Sequence, residues 1–241
     1  MEIKICHLYP DVLNLYGDRG NVLCMKQRLA WRGVGCTVTE LPLGRTEALS
    51  DYDLFFIGGG QDFEQGLLMD DLNRGKKAEI CAAVADGKPF LCVCGGYQLM
   101  GHYYETAAGE KCGFLGVADF YTQGADQRMI GNFAFQFEDT PVVGFENHSG
   151  RTWLGAGVQP LGKVLAGNGN NGEDGTEGVR HKNVFGTYSH GPVLPKNPAF
   201  CDSILRTALE RKYGAAELAP LEDRAENEAH TAALEKLMPE K

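Results

Sequence analysis

One thiol stands at the end of an apolar run and just before two glycines, in Phe90-Leu91-Cys92-Val93-Cys94-Gly95-Gly96-Tyr97-Gln98-Leu99. A buried strand that ends on a nucleophile and turns sharply into a helix is the arrangement of a nucleophile elbow. The turn lifts the side chain out of the sheet, and residues without a Cβ relieve the crowding around it. A thiol placed there sits at a helix N-terminus, whose dipole favours the thiolate. Cys94 is therefore the candidate nucleophile. Cys92, inside the strand, reads as a small buried core residue.

A second glycine-rich turn, Phe56-Ile57-Gly58-Gly59-Gly60-Gln61-Asp62, also leaves an apolar run at its carboxyl end. Its backbone N–H groups near Gly60, with the amide of Gly95, could hold the oxyanion of a tetrahedral intermediate. Acyl transfer also needs a base. Of the six histidines, His190 follows the strand-like Val184-Phe185-Gly186-Thr187-Tyr188-Ser189 and precedes Gly191-Pro192. It is the leading candidate, with His148 in Glu146-Asn147-His148-Ser149-Gly150 next. His7 reads as a structural residue near the first strand end.

The elements that must position these groups alternate along the first half. Residues 3–8, 36–41, 53–57 and 90–93 read as strands. Residues 19–32 read as a helix with Val22, Leu23, Met25, Leu29 and Ala30 on its apolar stripe. This alternation predicts an α/β fold, a three-layer, open, mostly parallel sheet flanked by helices. Both glycine turns then fall at carboxyl strand ends, where such sheets place ligands. From about 114 to 190 short, extra antiparallel strands with Gly, Asn and Asp turns are expected. A helix over 197–213 follows. The domain is expected to span 1–213, leaving 214–241 as a helical or disordered tail.

Bulk properties narrow the function. The chain has 241 residues, 43% of them apolar, enough for a sizeable core. A formal net charge of −9 argues against general nucleic-acid binding. No apolar run is long enough for a membrane span. The strand-like start is expected to carry no signal peptide, which points to the cytoplasm. The eight cysteines are scattered and include no C-x-x-C pair, so free thiols and no metal site are expected. Gly167-Asn168-Gly169-Asn170-Asn171-Gly172 satisfies G-x-G-x-x-G, but turn-forming residues follow where a helix is required, so a flexible hairpin loop is expected. Gly157–Lys163 lacks the hydroxyl residue that would complete a phosphate loop, so no nucleotide site is expected in this chain.

The two glycine turns and Gly186-Thr187-Tyr188-Ser189-His190-Gly191-Pro192 together resemble the triad-type glutamine amidotransferases, in their cobyric-acid-synthase-like branch. Two further segments are more specific. Leu8-Tyr9-Pro10-Asp11-Val12-Leu13-Asn14-Leu15-Tyr16-Gly17-Asp18-Arg19-Gly20-Asn21 and Gly144-Phe145-Glu146-Asn147-His148-Ser149-Gly150-Arg151-Thr152 are similar to the GatD-type glutaminase subunits of lipid II isoglutaminyl synthases. The resemblance covers residues 1–213. It implies hydrolysis of L-glutamine to glutamate and ammonia, with Cys94 as nucleophile and His190 as general base. It also implies that Gln98 and Gly60 contact the glutamine and that Arg128 holds its carboxylate. The implied partner is a Mur-ligase-like synthetase subunit of the MurT type, in a heterodimer. That subunit would carry ATP and Mg, and would amidate the D-glutamate of the lipid-linked peptidoglycan precursor.

One position departs from the family pattern. Many triad amidotransferases carry an acid two residues after the histidine, where this chain has Pro192. Three arrangements stay open: a Cys–His dyad, orientation of the imidazole by Glu146, or a carboxylate from the partner. Other function classes also stay open. A cysteine peptidase or γ-glutamyl hydrolase could use the same elbow, and a non-catalytic assembly subunit would hydrolyse no glutamine.

Overall fold

The structure, a computed structural model, describes residues 1–60, 65–215 and 217–238. The glycine-turn residues Gln61 and Asp62 lie outside the described residues. In chain order the first elements are β1 (Glu2–Leu8), α1 (Arg19–Trp31), β2 (Gly35–Leu41) and β3 (Leu54–Ile57). Then come α2 (Gln65–Asp71), a π-helical turn at Leu72–Lys76, α3 (Lys77–Ala85), β4 (Phe90–Val93) and the single turn α4 (Gly95–Gln98). The second half holds β5 (Tyr103–Glu105), β6 (Lys111–Gly113), β7 (Phe120–Phe137), β8 (Thr140–Leu154), β9 (Gly162–Ala166), β10 (Thr176–Glu177), β11 (Val179–His181) and β12 (Val184–Thr187). Two helices close the chain, α5 (Pro198–Tyr213) and α6 (Arg224–Leu237).

The central sheet has the order β11-β12-β4-β3-β1-β2. Every pairing in it is parallel except β11 with β12. All four residues of β3, β4 and β12 are buried, as expected where a parallel sheet is covered on both faces. The expected α/β architecture is therefore present. The neighbouring positions of β3, β4 and β12 bring three carboxyl strand ends side by side, and the turns after them carry Gly58–Gly60, Cys94 and His190.

The second sheet, β10-β9-β7-β5-β6 with β8 paired to β7, differs from the expected short strands. β7 and β8 form a hairpin of 18 and 15 residues, with a register shift between Gly124 and Met129. The interruption and the polar residues flanking it hide the continuity of both strands. Phe200 of α5 joins the two sheets. Its ring lies 4.8 Å from Phe137 of β7 and 6.2 Å from Phe185 of β12.

Helix α1 runs where expected, but its stripe differs. Val22, Met25 and Leu29 are buried, whereas Leu23 and Ala30 face solvent. Arg28 is buried instead, donating to Asp202 of α5 and to Asp223 just before α6. That paired charge ties the C-terminal segment to the body. α6 lies on the protein's own surface, where His230 Nδ1 is 3.0 Å from the carbonyl of Lys196. The expected flexible loop at 167–178 is ordered. Glu146 Oε1 accepts from Asn168 and Oε2 from the N–H of Gly169, while Asn170 Oδ1 accepts from Gly178 N–H and Tyr97 Oη. Among the described residues no helix is long and apolar enough to cross a membrane.

Candidate active site

Cys94 leaves β4 with φ 49° and ψ −106°, a conformation that L-residues rarely adopt. Its N–H donates to Thr187 O of β12 at 2.8 Å, and its carbonyl accepts from Gln98 N–H at 2.9 Å. These bonds hold the strained residue at the junction of strand and turn, as an elbow requires. The helix that follows is one turn long, shorter than the sequence pattern implied. A sizeable macrodipole is therefore not available there, because it grows from many aligned peptides. Charge near the sulfur comes from a side chain instead.

That side chain is His190. It is fully buried, and its backbone pairs with Phe145 of β8 through His190 N–H to Phe145 O at 2.8 Å. Nδ1 lies 3.2 and 3.3 Å from the two carboxylate oxygens of Asp18. Nε2 has no hydrogen-bond partner among the described residues and is the nitrogen left for the thiol. Burial alone would pull the imidazolium pKa down. The Cys94 sulfur and the Asp18 carboxylate outweigh it and push His190 up to about 10.

Gly59 shows how closely these groups converge. A Cβ there would lie 2.5 Å from His190 Cε1, 3.2 Å from Asp18 Oδ2 and 3.3 Å from Cys94 Cβ. The two glycine turns also meet directly. Gly96 N–H donates to Gly58 O at 3.1 Å, and a Cβ on Gly95 would lie 3.0 Å from the backbone nitrogen of Gly60. The backbones of Gly60 and Gly95 thus approach one another beside the sulfur, where a pair of N–H donors could receive an oxyanion.

A cavity of about 470 Å³ opens over Cys94, bordered by Tyr16, Gly60, Gln98, Arg128 and Asn147 among others. Gln98, nearly buried, donates to Tyr188 Oη at 3.1 Å, and that hydroxyl lies 2.7 Å from Thr152 Oγ1. Arg128 sits at the β7 irregularity. Its Nε donates to Asn147 Oδ1 at 2.9 Å and its Nη2 to Asn147 O at 3.0 Å. Two of five N–H donors are used in this way, so a ligand carboxylate can take others.

The structure brings Cys94, His190, Gly60, Gly95, Gln98 and Arg128 to one place. It does not bring Glu146 to the imidazole. Glu146, in β8, is buried against the 167–178 loop, where His148 3.8 Å away and hydrogen bonds from Asn168 and Gly169 overcome burial and hold its carboxyl below the usual range. The alternative base, His148, borders the cavity, but its Nδ1 lies 2.8 Å from Gly150 O and its ring stacks on Tyr188 at 3.6 Å. Asp18, Tyr16 and Asn147 join the site without having been assigned roles from sequence. Tyr16 has φ 55°, packs its ring edge-on to His190 at 4.9 Å and accepts from Asn147 Nδ2 at 2.6 Å. Pro192 packs against Gly20 at the start of α1, occupying the position of the usual acid.

The chain is 43% identical over 216 residues to the lipid II isoglutaminyl synthase (glutamine-hydrolyzing) subunit GatD of Streptococcus pneumoniae, covering 88% of this chain and 83% of that protein. It is 42% identical over 230 residues to the protein of the same name from Staphylococcus aureus, covering 95% and 93%. The cobyric acid synthase of Pelotomaculum thermopropionicum is 33% identical over 60% of this chain and 30% of that protein. The fold is similar to that of PurLQS from Thermotoga maritima, with a TM-score of 0.53 at 17% identity over 87% of this chain and 99% of that one. Residues 4–198 match the CobB/CobQ-like glutamine amidotransferase domain, and the chain belongs to that family.

Proposed function

We propose that this chain is the glutaminase subunit of a lipid II isoglutaminyl synthase, hydrolysing L-glutamine and passing ammonia to a synthetase partner. The observation that carries the reading is the convergence of Cys94, His190 and the paired Gly60 and Gly95 backbones beneath a cavity bordered by Arg128. The two GatD relatives support it across most of their length and of this chain. The partner is a Mur-ligase-like subunit of the MurT type in a cytoplasmic heterodimer. ATP and Mg act on that subunit, which activates the D-glutamate carboxyl before ammonia arrives.

In this reading Arg128 binds the α-carboxylate of glutamine, and Gln98 lies against the substrate. The Cys94 thiolate attacks the side-chain amide carbon, and the carbonyl electrons move onto an oxygen held by the amides of Gly60 and Gly95. His190 gives its Nε2 proton to the departing nitrogen, so that ammonia leaves and a γ-glutamyl thioester remains. The neutral imidazole then takes a proton from water, which adds to the thioester. Collapse releases glutamate and regenerates the thiolate–imidazolium pair.

The test uses a diazo-ketone analogue of glutamine together with an ammonia assay. Cys94 should gain the mass of the analogue less dinitrogen, which leaves as the thiol is alkylated, and Cys94→Ala should keep its fold and release no ammonia. An unlabelled Cys94 in the folded chain, alone and with its partner, refutes the reading.

A further inference from the structure

The triad acid of many related enzymes follows the histidine, and here that position is Pro192. We infer that Asp18, from the loop entering α1, is the positioning carboxylate of the Cys94–His190 pair, supplied by this chain itself. The inference rests on the glutaminase reading.

Three observations carry it. First, Asp18 is fully buried, and both its oxygens lie within 3.3 Å of His190 Nδ1. Second, Oδ2 also accepts the N–H of Gly59 at 2.8 Å. One carboxylate thus fixes the base and the glycine turn that carries Gly60. Third, the segment after His190 is locked to the first turn of α1. Leu194 N–H donates to the buried Asn21 Oδ1 at 2.9 Å, and Pro192 packs on Gly20. The contact is therefore built into the fold, although Asp18 and His190 are 172 residues apart.

The chemistry needs such a group twice. In the resting site the carboxylate stabilises the charged imidazolium beside Cys94. After ammonia leaves, it accepts from Nδ1–H and keeps the lone pair on Nε2, facing the water to be activated. Among the described residues the ionisable groups facing the ring are Asp18, Cys94 and the edge of Tyr16. A carboxylate from another chain could reach Nδ1 only by displacing Asp18.

Asp18→Asn separates this role from a merely structural one. The amide oxygen would keep the Gly59 N–H, which leaves the amide NH₂ facing Nδ1. That forces the neutral ring to carry its proton on Nε2, the wrong tautomer. In the full chain with its synthetase partner, kcat for glutamine should fall by about 10³–10⁴-fold with KM changed less than about threefold. Nitrogen NMR of the full-length wild-type chain should find His190 protonated on both nitrogens at pH 7.5, and D18N should show a neutral ring. A wild-type His190 whose Nδ1 carries no proton hydrogen-bonded to a carboxylate overturns the inference, even if D18N does not fold. So does a folded D18N with kcat within threefold of wild type. If diazo-ketone labelling of wild-type Cys94 succeeds while either result appears, only this inference fails; if labelling fails, the glutaminase reading fails with it.

Discussion

Gly59 and His190 are packed so closely that a methyl group on Gly59 would lie 2.5 Å from His190 Cε1. The same methyl would lie 3.3 Å from Cys94 Cβ, so the imidazole, the nucleophile or the turn must move. A displacement of even an ångström at a reacting pair costs about 10²-fold. Gly59→Ala should therefore lower kcat at least about 100-fold, with a far-ultraviolet spectrum like wild type. Activity within threefold of wild type would show that the turn accommodates the methyl and that the geometry is not rate-determining.

Strain at the nucleophile gives a prediction of opposite sign for stability. Cys94 is held at φ 49° and ψ −106°, where a side chain is unfavourable and glycine is not. Such backbone strain is worth about 1–3 kcal/mol. Cys94→Gly should abolish glutamine hydrolysis yet unfold at a higher temperature than Cys94→Ala, which keeps the Cβ. Equal melting temperatures for the two variants would place the strain elsewhere.

Arg128 is expected to act on binding more than on chemistry, since it borders the cavity and is steadied by Asn147. Arg128→Ala should raise KM for glutamine by roughly 10–100-fold, the loss of a charge-assisted hydrogen bond, with a smaller change in kcat. Arg128→Lys should recover only part of the loss, because a point charge cannot reproduce the planar fork. Steady-state kinetics separates these outcomes; a kcat effect without a KM effect would remove Arg128 from carboxylate binding.

The groups legible in the sequence are those whose signals are local. Cys94 is announced by its own strand, its glycines and the turn after them, within ten residues. The central strands are buried on both faces and so appear as unbroken apolar runs. Asp18 has no such signal. It reaches His190 across 172 residues of sequence, and its role depends on β1 and β12 belonging to one sheet. Glu146, one of the sequence candidates to orient the imidazole, does not reach it. In the fold it organises the glycine-rich loop instead, and for the same reason that loop is ordered despite a composition typical of flexible turns. The long β7–β8 hairpin was obscured where its register slips, since alternation is lost on passing the irregularity.

His7 supplies a pH prediction independent of catalysis. Its ring is buried in β1 beside Phe56, 5.1 Å between centroids, and neither nitrogen has a hydrogen-bond partner among the described residues. Burial, partly offset by Glu40, lowers its pKa from 6.5 to about 4. The folded state therefore keeps the ring neutral while the unfolded chain takes up a proton below pH 6.5. Stability is fully present above that value and declines as pH falls towards 4, by about 3 kcal/mol in all. His7→Phe removes both the titration and the unpaired nitrogens. It should melt higher than wild type at pH 5 by more than it does at pH 7.5, with hydrolysis unchanged at neutral pH. Melting curves at the two pH values check this, and a difference that does not depend on pH would mean that His7 is not the group that titrates.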